Sequence, residues 1–386
     1  MQLSPIKRSF QVQYNYQLYF TSGLFNVENP LFEQLFETYK EFEPVKLLFV
    51  VDDGVKNHHP DLMNQIKTYC NAYDQSISLT NTIVVSGGEQ VKNSVEAVDS
   101  VLRGINENKI CRHSFVVAIG GGAVIDMVGY AAAIAHRGVK LLRIPTTVLS
   151  QNDSAVGVKN SVNAYKKKNF LGTFAPPFAI INDSNFLETL EQRDWISGIS
   201  EAIKVALIKD KVFFEYIADN ALALKNREMA PMQHVIYKCA EMHMNHIAQG
   251  GDPFESGSSR PLDFGHWAAH KMEFMTNYDM RHGEAVAKGI ALDVTYAQLS
   301  GLITELDLQH ILDVMLNIGF DLSIPVESPE EIDILLNGIE EFREHLGGEL
   351  TITLISDIGV KHDVHNIDMG LMSQAISKLN HQYALN

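Results

Sequence analysis

The stretch AIGGGAVIDMVG (118–129) decides the fold. It ends one apolar run, SFVVAIGGG (114–122), and opens another, AVIDMVGYAAAIAHRG (123–138). The first reads as a buried strand running into a glycine turn, the second as a helix closed by Gly138. Without Cβ atoms at 120–122 the backbone can approach a pyrophosphate, whose charge suits a helix amino terminus. The spacing is not the G-x-G-x-x-G fingerprint, and for the triplet alone a tight structural turn is an equal reading.

Working outward, VKLLFVVDD (45–53), NTIVVSGGE (81–89) and VKLLRIPTT (139–147) are further apolar runs of strand length, and KNSVEAVDSVLRGINEN (92–108) carries helical spacing. Repeated β-α-β order predicts a doubly wound parallel sheet that binds ligands beyond the carboxyl ends of its strands. From NFLETLEQRDW (185–195) the pattern turns helical, with few strand-like runs before ELTITLIS (349–356). The expected division is therefore an α/β domain over residues 1–185 and a mostly helical domain over 186–386. FQVQYNYQLYFTSGLF (10–25) alternates, and an amino-terminal hairpin over about 8–25 is expected from it.

Composition narrows the function class. The 386 residues are 46% hydrophobic and 20% charged, enough for a large globular core. No uninterrupted apolar stretch has membrane-spanning length, and the amino terminus has no signal core, so a cytoplasmic protein is expected. The three cysteines, Cys70, Cys111 and Cys239, are scattered, which argues against a disulfide framework or a thiolate metal site. A net charge of −16 disfavours nucleic acid and anionic membranes as partners.

Three segments hold the residues with chemistry: SGISEAIK (197–204), RPLDFGHWAAH (260–270) and MRHGEAV (280–286). Glu201, His266 and His282 make one carboxylate and two imidazoles, a ligand set suited to a catalytic zinc-type ion with a position open for substrate. His270 follows His266 by one helical turn, and Lys204 follows Glu201 by three residues. Core histidines and a surface ion pair are the bland readings. A metal that can hold a hydroxyl, next to a nicotinamide, points to redox chemistry on a polyol. On the cofactor side, Asp52 ends the first strand, where it could accept a ribose hydroxyl, though a solvated loop acid is the commoner reading. Asp126 could cap the glycine-turn helix or contact cofactor, and Lys92 after SGGE could meet phosphate. PTTVLSQNDSAVGVKNSVN (145–163), with Asp153 and Lys159, and KKKNF (166–170), with Asn169, form a polar, basic region that suggests a phosphate site, which Arg137 could join.

These segments resemble the sugar phosphate cyclases of the dehydroquinate synthase superfamily. GGGAVIDMVGYAAA, HRG, IPTTVLSQNDSAVGVKNSVN, KKNFLGTF, SGISEAIK, DFGHWAAH and RHGEAVAKG follow the family's order and spacing from about 45 to 355. The resemblance implies an amino-terminal NAD-binding α/β domain and a carboxy-terminal helical metal-binding domain with the active site between them, and a homodimer. It implies Glu201, His266 and His282 as ligands of zinc or cobalt. It implies His270 as a substrate-phosphate histidine, and Arg137, Lys159 and Asn169 as phosphate and substrate contacts. Asp153 and Lys204 match polar residues around the reacting carbons. Glu89, Lys92, Gly121, Gly122, Thr146, Thr147, Thr189 and Leu190 match NAD contacts.

The departures point to a subfamily. Dehydroquinate synthases carry an arginine seven residues before the metal histidine and an asparagine three before it. Here Ser259 and Asp263 stand there, Arg260 is shifted by one, and Pro261 replaces an apolar residue. His345 is the candidate replacement for the family's late phosphate-site lysine. These features resemble the 2-epi-5-epi-valiolone synthase-like cyclases, which act on sedoheptulose 7-phosphate. Asp263 in place of an amide favours a substrate that presents hydroxyls over one that presents a carboxylate. The implied reaction is a lyase-type cyclisation with loss of phosphate, NAD being reduced and regenerated. The rival readings are 3-dehydroquinate synthase itself and a metal-dependent polyol or alcohol dehydrogenase, which would release NADH.

Overall fold

A computed structural model of the chain describes residues 5–37, 44–165, 167–254, 261–345 and 349–383. Its first half contains β1 (Gln17–Thr21), β2 (Val45–Asp52), β3 (Ile77–Val85), β4 (Phe115–Gly120), β5 (Lys140–Pro145), β6 (Lys159–Ala164), β7 (Lys167–Phe174) and β8 (Ala179–Asp183). Six of these form one sheet in the order β1–β8–β5–β4–β2–β3, every neighbouring pair parallel. The order reverses between β2 and β4, as expected of a doubly wound sheet. The apolar runs are continuous because both faces are covered. Leu47, Phe49, Val51, Val117 and Ile119 pack into one cluster, and their neighbours Leu48, Val50, Val116 and Ala118 into another.

Three local expectations change. The hairpin over about 8–25 is not formed: β1 is a single edge strand parallel to β8, and residues 5–16 have no regular structure. An alternating run satisfies its two-residue period equally well by joining an existing sheet. The helix after the glycine turn spans Gly122–Ile134 rather than reaching Gly138, because His136 and Arg137 turn left-handed (φ 51° and 64°). The polar segment 145–163, read as a polar region after a strand, makes a helical turn at Ser150–Ser154 and only from Lys159 onward enters an antiparallel hairpin, β6–β7. That hairpin lies on the glycine-turn helix so closely that a Cβ at Gly129 would overlap Asn160 Oδ1. Arg143, fully buried on β5, ties it down by donating to the carbonyls of Ala155 and Gly157 (2.7 and 2.5 Å) and to Asn160 Oδ1 (2.7 Å).

The second half is helical around the largest apolar cluster, with one antiparallel pair, β9 (Ile352–Asp357) and β10 (Val360–Val364), at the strand-like run ELTITLIS. Four helices matter below: Ile199–Lys209, Met229–Gln249, His266–Met275 and His282–Leu299. Among the described residues no helix is long and apolar enough to cross a membrane.

Candidate active site

The cofactor candidates gather along the carboxyl rim of the sheet. Gly121 caps the glycine-turn helix, and a Cβ on Gly122 would press on Ser154 Oγ at 2.5 Å, so only glycine fits against the following loop. Thr146 donates its N–H to Gly120 O (3.0 Å), and Thr147 Oγ1 lies 2.8 Å from Ser150 Oγ. Asp52 acts locally, because its Oδ1 accepts from Gly54 N and Val55 N (2.8 and 3.3 Å) and so caps the helix Asp53–His58. Burial pushes its carboxyl up, partly offset by those hydrogen bonds. Lys92 is paired with Asp126 (2.8 Å) and donates to Asn169 Oδ1, which also accepts from Ser161 Oγ (2.9 Å). Glu89 accepts from Asn163 Nδ2 (3.1 Å), and Asn163 in turn accepts from Asn169 N (2.9 Å). One polar network therefore links Glu89, Lys92, Asp126 and Asn169, and Lys159 opens the same hairpin on β6. Thr189 Oγ1 meets His59 Nε2 at 2.8 Å, and Leu190 O accepts from Arg227 (2.5 Å).

Arg137 stands apart from this network. It is exposed at the amino end of β5. The helix Gly122–Ile134 has by then carried the chain about 20 Å from the glycine turn, at ~1.5 Å per residue. Within one chain Arg137 does not join the phosphate group. Lys166, Ser259 and Arg260, and the side chains of Pro261 and His345, lie outside the described residues.

Glu201, His266 and His282 converge. Each offers one ligand atom, all within 4.8 Å of one another. Glu201 is fully buried; Oε1 has no aligned hydrogen-bond donor and lies 3.7 Å from His266 Nε2 and 3.5 Å from His282 Nε2. Both rings are held by their other nitrogen. His266 Nδ1 is 3.1 Å from Phe264 O, and His282 Nδ1 is 3.4 Å from Glu273 Oε2. A proton on each Nδ1 leaves both Nε2 lone pairs facing Glu201, the arrangement a divalent ion requires. An orphaned buried carboxylate oxygen facing two imidazole nitrogens fits zinc or cobalt. His270 stacks on His282 (centroids 5.9 Å) at the exposed side.

The charges are tightly balanced. Burial pushes Glu201 up, but Lys204 and His282 outweigh it and hold the carboxyl down at about 2. Burial lowers the Lys204 ammonium, yet Glu201 and Asp153 raise it overall; Lys204 forms an ion pair with Glu201 Oε2. Burial, then the Lys204 charge, pushes His266 well below its usual value, so this imidazole is neutral and able to ligate. For His282 burial is outweighed by Glu273 and Glu201, which hold it up at about 10. A metal ion must displace that proton. Asp153 lies 3.0 Å from His243 Nδ1 and beside Lys204, and Asp263 adds its charge on the same ammonium.

Three participants, Glu273, His243 and Arg143, escape a reading of the sequence, and a fourth, Lys168, is read only as part of the basic cluster KKKNF. Glu273 is buried and bridges His282 to Lys168 of β7, whose Nζ is 2.8 Å away. It follows His266 and His270 by seven and three residues, the same helix face, and that spacing is its visible signal. Lys168 stands out in the sequence only as part of a lysine run. His243 carries no signal, because its partner Asp153 lies ninety residues earlier. Arg143 does: a charge inside the apolar run VKLLRIP marks a buried tether. His270, Glu273 and His282 also form a possible ligand group, but Glu273 is already engaged with Lys168 and His282 Nδ1.

Residues 82–197 match the 3-dehydroquinate synthase N-terminal family, and residues 198–339 the 3-dehydroquinate synthase C-terminal family. A 3-dehydroquinate synthase of Vibrio atlanticus (strain LGP32) is 34% identical over 311 residues, 78% of this chain and 83% of the relative. The chain belongs to the 3-dehydroquinate synthase family. Membership makes it a sugar phosphate cyclase of the superfamily and a carbon–oxygen lyase acting on phosphates, the class the motifs implied. Among solved structures, ValA, the 2-epi-5-epi-valiolone synthase of Streptomyces hygroscopicus subsp. jinggangensis 5008 with NAD+ and Zn2+ bound, superposes with a TM-score of 0.87 at 26% identity, covering 98% of this chain and 100% of that one. A 2-deoxy-scyllo-inosose synthase complexed with carbaglucose-6-phosphate, NAD+ and Co2+ shares the fold (TM-score 0.76, 22% identity, 94% and 96% covered).

Proposed function

We propose that this cyclase uses NAD and a divalent zinc or cobalt ion to convert sedoheptulose 7-phosphate into a cyclitol with loss of phosphate. The observation that carries the substrate choice is Asp263. It stands in the turn Pro261–Asp263 leading into His266, beside Lys204, where the family's dehydroquinate synthases have an amide. A carboxylate there repels a substrate carboxylate and accepts from hydroxyls, and the arginine that would partner such an acid is displaced, Ser259 standing in its place and Arg260 shifted by one. The whole-chain likeness to ValA supports the same choice.

Bound together, NAD would supply a transient hydride acceptor and the metal would hold adjacent hydroxyls of the sugar. Glu201, His266 and His282 would hold the metal, and Gly121, Gly122, Thr146, Thr147, Glu89, Lys92, Thr189 and Leu190 would hold NAD. Asp126 would act through Lys92, and Asp52 through the turn it caps. Lys159, Asn169 and His270 would hold the phosphate as it leaves. Lys204 and Asp153 would orient hydroxyls at the reacting carbons. The protein contributes mainly position and fixed charge. Arg137 could act only on the site of a second copy, in the homodimer the family implies.

The test is turnover of sedoheptulose 7-phosphate against the heptulosonate phosphate of 3-dehydroquinate synthase, followed by phosphate release and NMR of the product. A dominant kcat/KM for the heptulosonate would overturn the substrate choice. That second reading is favoured by the curated relatives, which are named 3-dehydroquinate synthase. Net accumulation of NADH would instead indicate a dehydrogenase.

A further inference from the structure

Asp293 lies in the middle of the helix His282–Leu299, fully buried among alanine, valine and leucine. An ionisable group in such a place is costly unless it is satisfied. Its two oxygens accept one hydrogen bond each: Oδ1 from Trp267 Nε1 (2.9 Å) and Oδ2 from Gly265 N (3.0 Å). Those donors belong to the residues on either side of His266.

The surrounding geometry explains why a carboxylate is used. Gly265 is left-handed (φ 77°) and precedes the first residue of the helix His266–Met275; glycine has no side chain with which to cap it. The opening N–H groups of that helix need an acceptor and favour negative charge. Asp293 supplies an acceptor for Gly265 N from the neighbouring helix. The two helices are in backbone contact here, because a Cβ on Gly265 would lie 2.8 Å from Ile290 N, and one on Gly289 would overlap Gly265 O. Asp293 is one turn beyond Gly289. It therefore sets the register of one helix against the other, and each helix begins with one of the two histidines that face Glu201.

We propose that Asp293 is a positioning residue for the metal centre: by accepting from Gly265 and Trp267 it fixes the approach of the His266 imidazole to Glu201 and His282. This rests on the metal reading above. Burial pushes the Asp293 carboxyl up to about 7, against the pull of its two donors, consistent with a group kept in place despite its cost.

The experiment measures zinc and cobalt affinity of the full chain by chelator competition, well below the melting temperature. It compares the wild type with Asp293→Asn, Trp267→Phe and the double variant, and records the visible spectrum of each cobalt form. Asp293→Asn keeps the shape but can accept only one of the two bonds. We expect its zinc affinity to fall on the order of tenfold, within the range seen when supports of metal ligands are removed, with altered cobalt bands. Trp267→Phe should lose severalfold, and the double variant less than the product of the two single losses, because both weaken the same tie. Unchanged affinity and bands in folded Asp293→Asn would overturn the proposal. Should that variant not fold, unchanged affinity in Trp267→Phe overturns it equally. A wild-type chain that binds neither metal would defeat the metal reading and this inference with it. Metal binding by the wild type and unchanged binding by the variants would defeat the inference alone.

Discussion

Replacing Asp293 by asparagine should change how stability depends on pH, and the size of the change follows from the burial of this one group. Burial raises the folded carboxyl from 3.8 to about 7. The folded state therefore retains a proton that the unfolded state has lost, and stability falls as pH rises from about 4 to 7. At ~1.4 kcal/mol per pH unit the full loss is about 4 kcal/mol, of which about 3 kcal/mol falls between pH 5 and pH 8. For 386 residues at about 2.1 cal/mol/K per residue the unfolding entropy is ~0.8 kcal/mol/K, so this becomes about 3–4 °C in Tm. Thermal melts of wild type and Asp293→Asn in chelator at pH 5, 6.5 and 8 isolate this contribution, since every other titrating group is common to both. The variant should gain about 3–4 °C on the wild type between pH 5 and pH 8, whatever its absolute stability. A Tm difference constant to within 1 °C would refute the claim that Asp293 is a carboxyl forced to ionise in an apolar setting.

His266→Ala should abolish stoichiometric zinc and cyclase activity together; elemental analysis after dialysis checks it, and a variant retaining one equivalent of metal with activity contradicts the ligand assignment. Glu273→Gln leaves Lys168 without its counter-charge and His282 without its orienting carboxylate. Its zinc affinity should drop by about 10–100-fold, measured by chelator competition, and a change under twofold would show that His282 is oriented by other means. Gly129→Ala drives a methyl into Asn160, which should cost about 1–3 kcal/mol of stability and raise KM for the sugar phosphate through displacement of the hairpin that carries Lys159 and Asn169. An unchanged melt and KM would mean the hairpin yields freely.

Much of the rim was legible because it is built from local pattern. The strand–glycine–helix unit follows from apolar spacing and Cβ absence, apart from its end at Ile134 rather than Gly138; Lys92 and Asp126 are candidates from their position after strands, whereas Thr146 and Thr147 enter only through the family resemblance. The hairpin β6–β7 was not legible: of β6 only Val162 joins the apolar cluster of the helix Gly122–Ile134, and Arg143 and Asn160 supply with hydrogen bonds the cohesion that apolar alternation would otherwise signal. Arg137 looked like part of the phosphate group because the motif containing it is short, but sequence proximity to a helix end says nothing about which end of the sheet that helix has reached.

From sequence alone came the class of fold and the kinds of ligand chemistry available, because periodicity, glycine placement and residue type are properties of neighbours along the chain. Tertiary structure alone decided that the two imidazoles turn their Nε2 atoms to Glu201, that the buried Glu273 meets His282, and that the buried Asp293 accepts from the residues on either side of His266. It also decided that Lys204 balances both Glu201 and Asp153. These follow from how three helices cross and how closely Gly265 and Gly289 let two of them approach, which is a property of packing at a distance that no local spacing records.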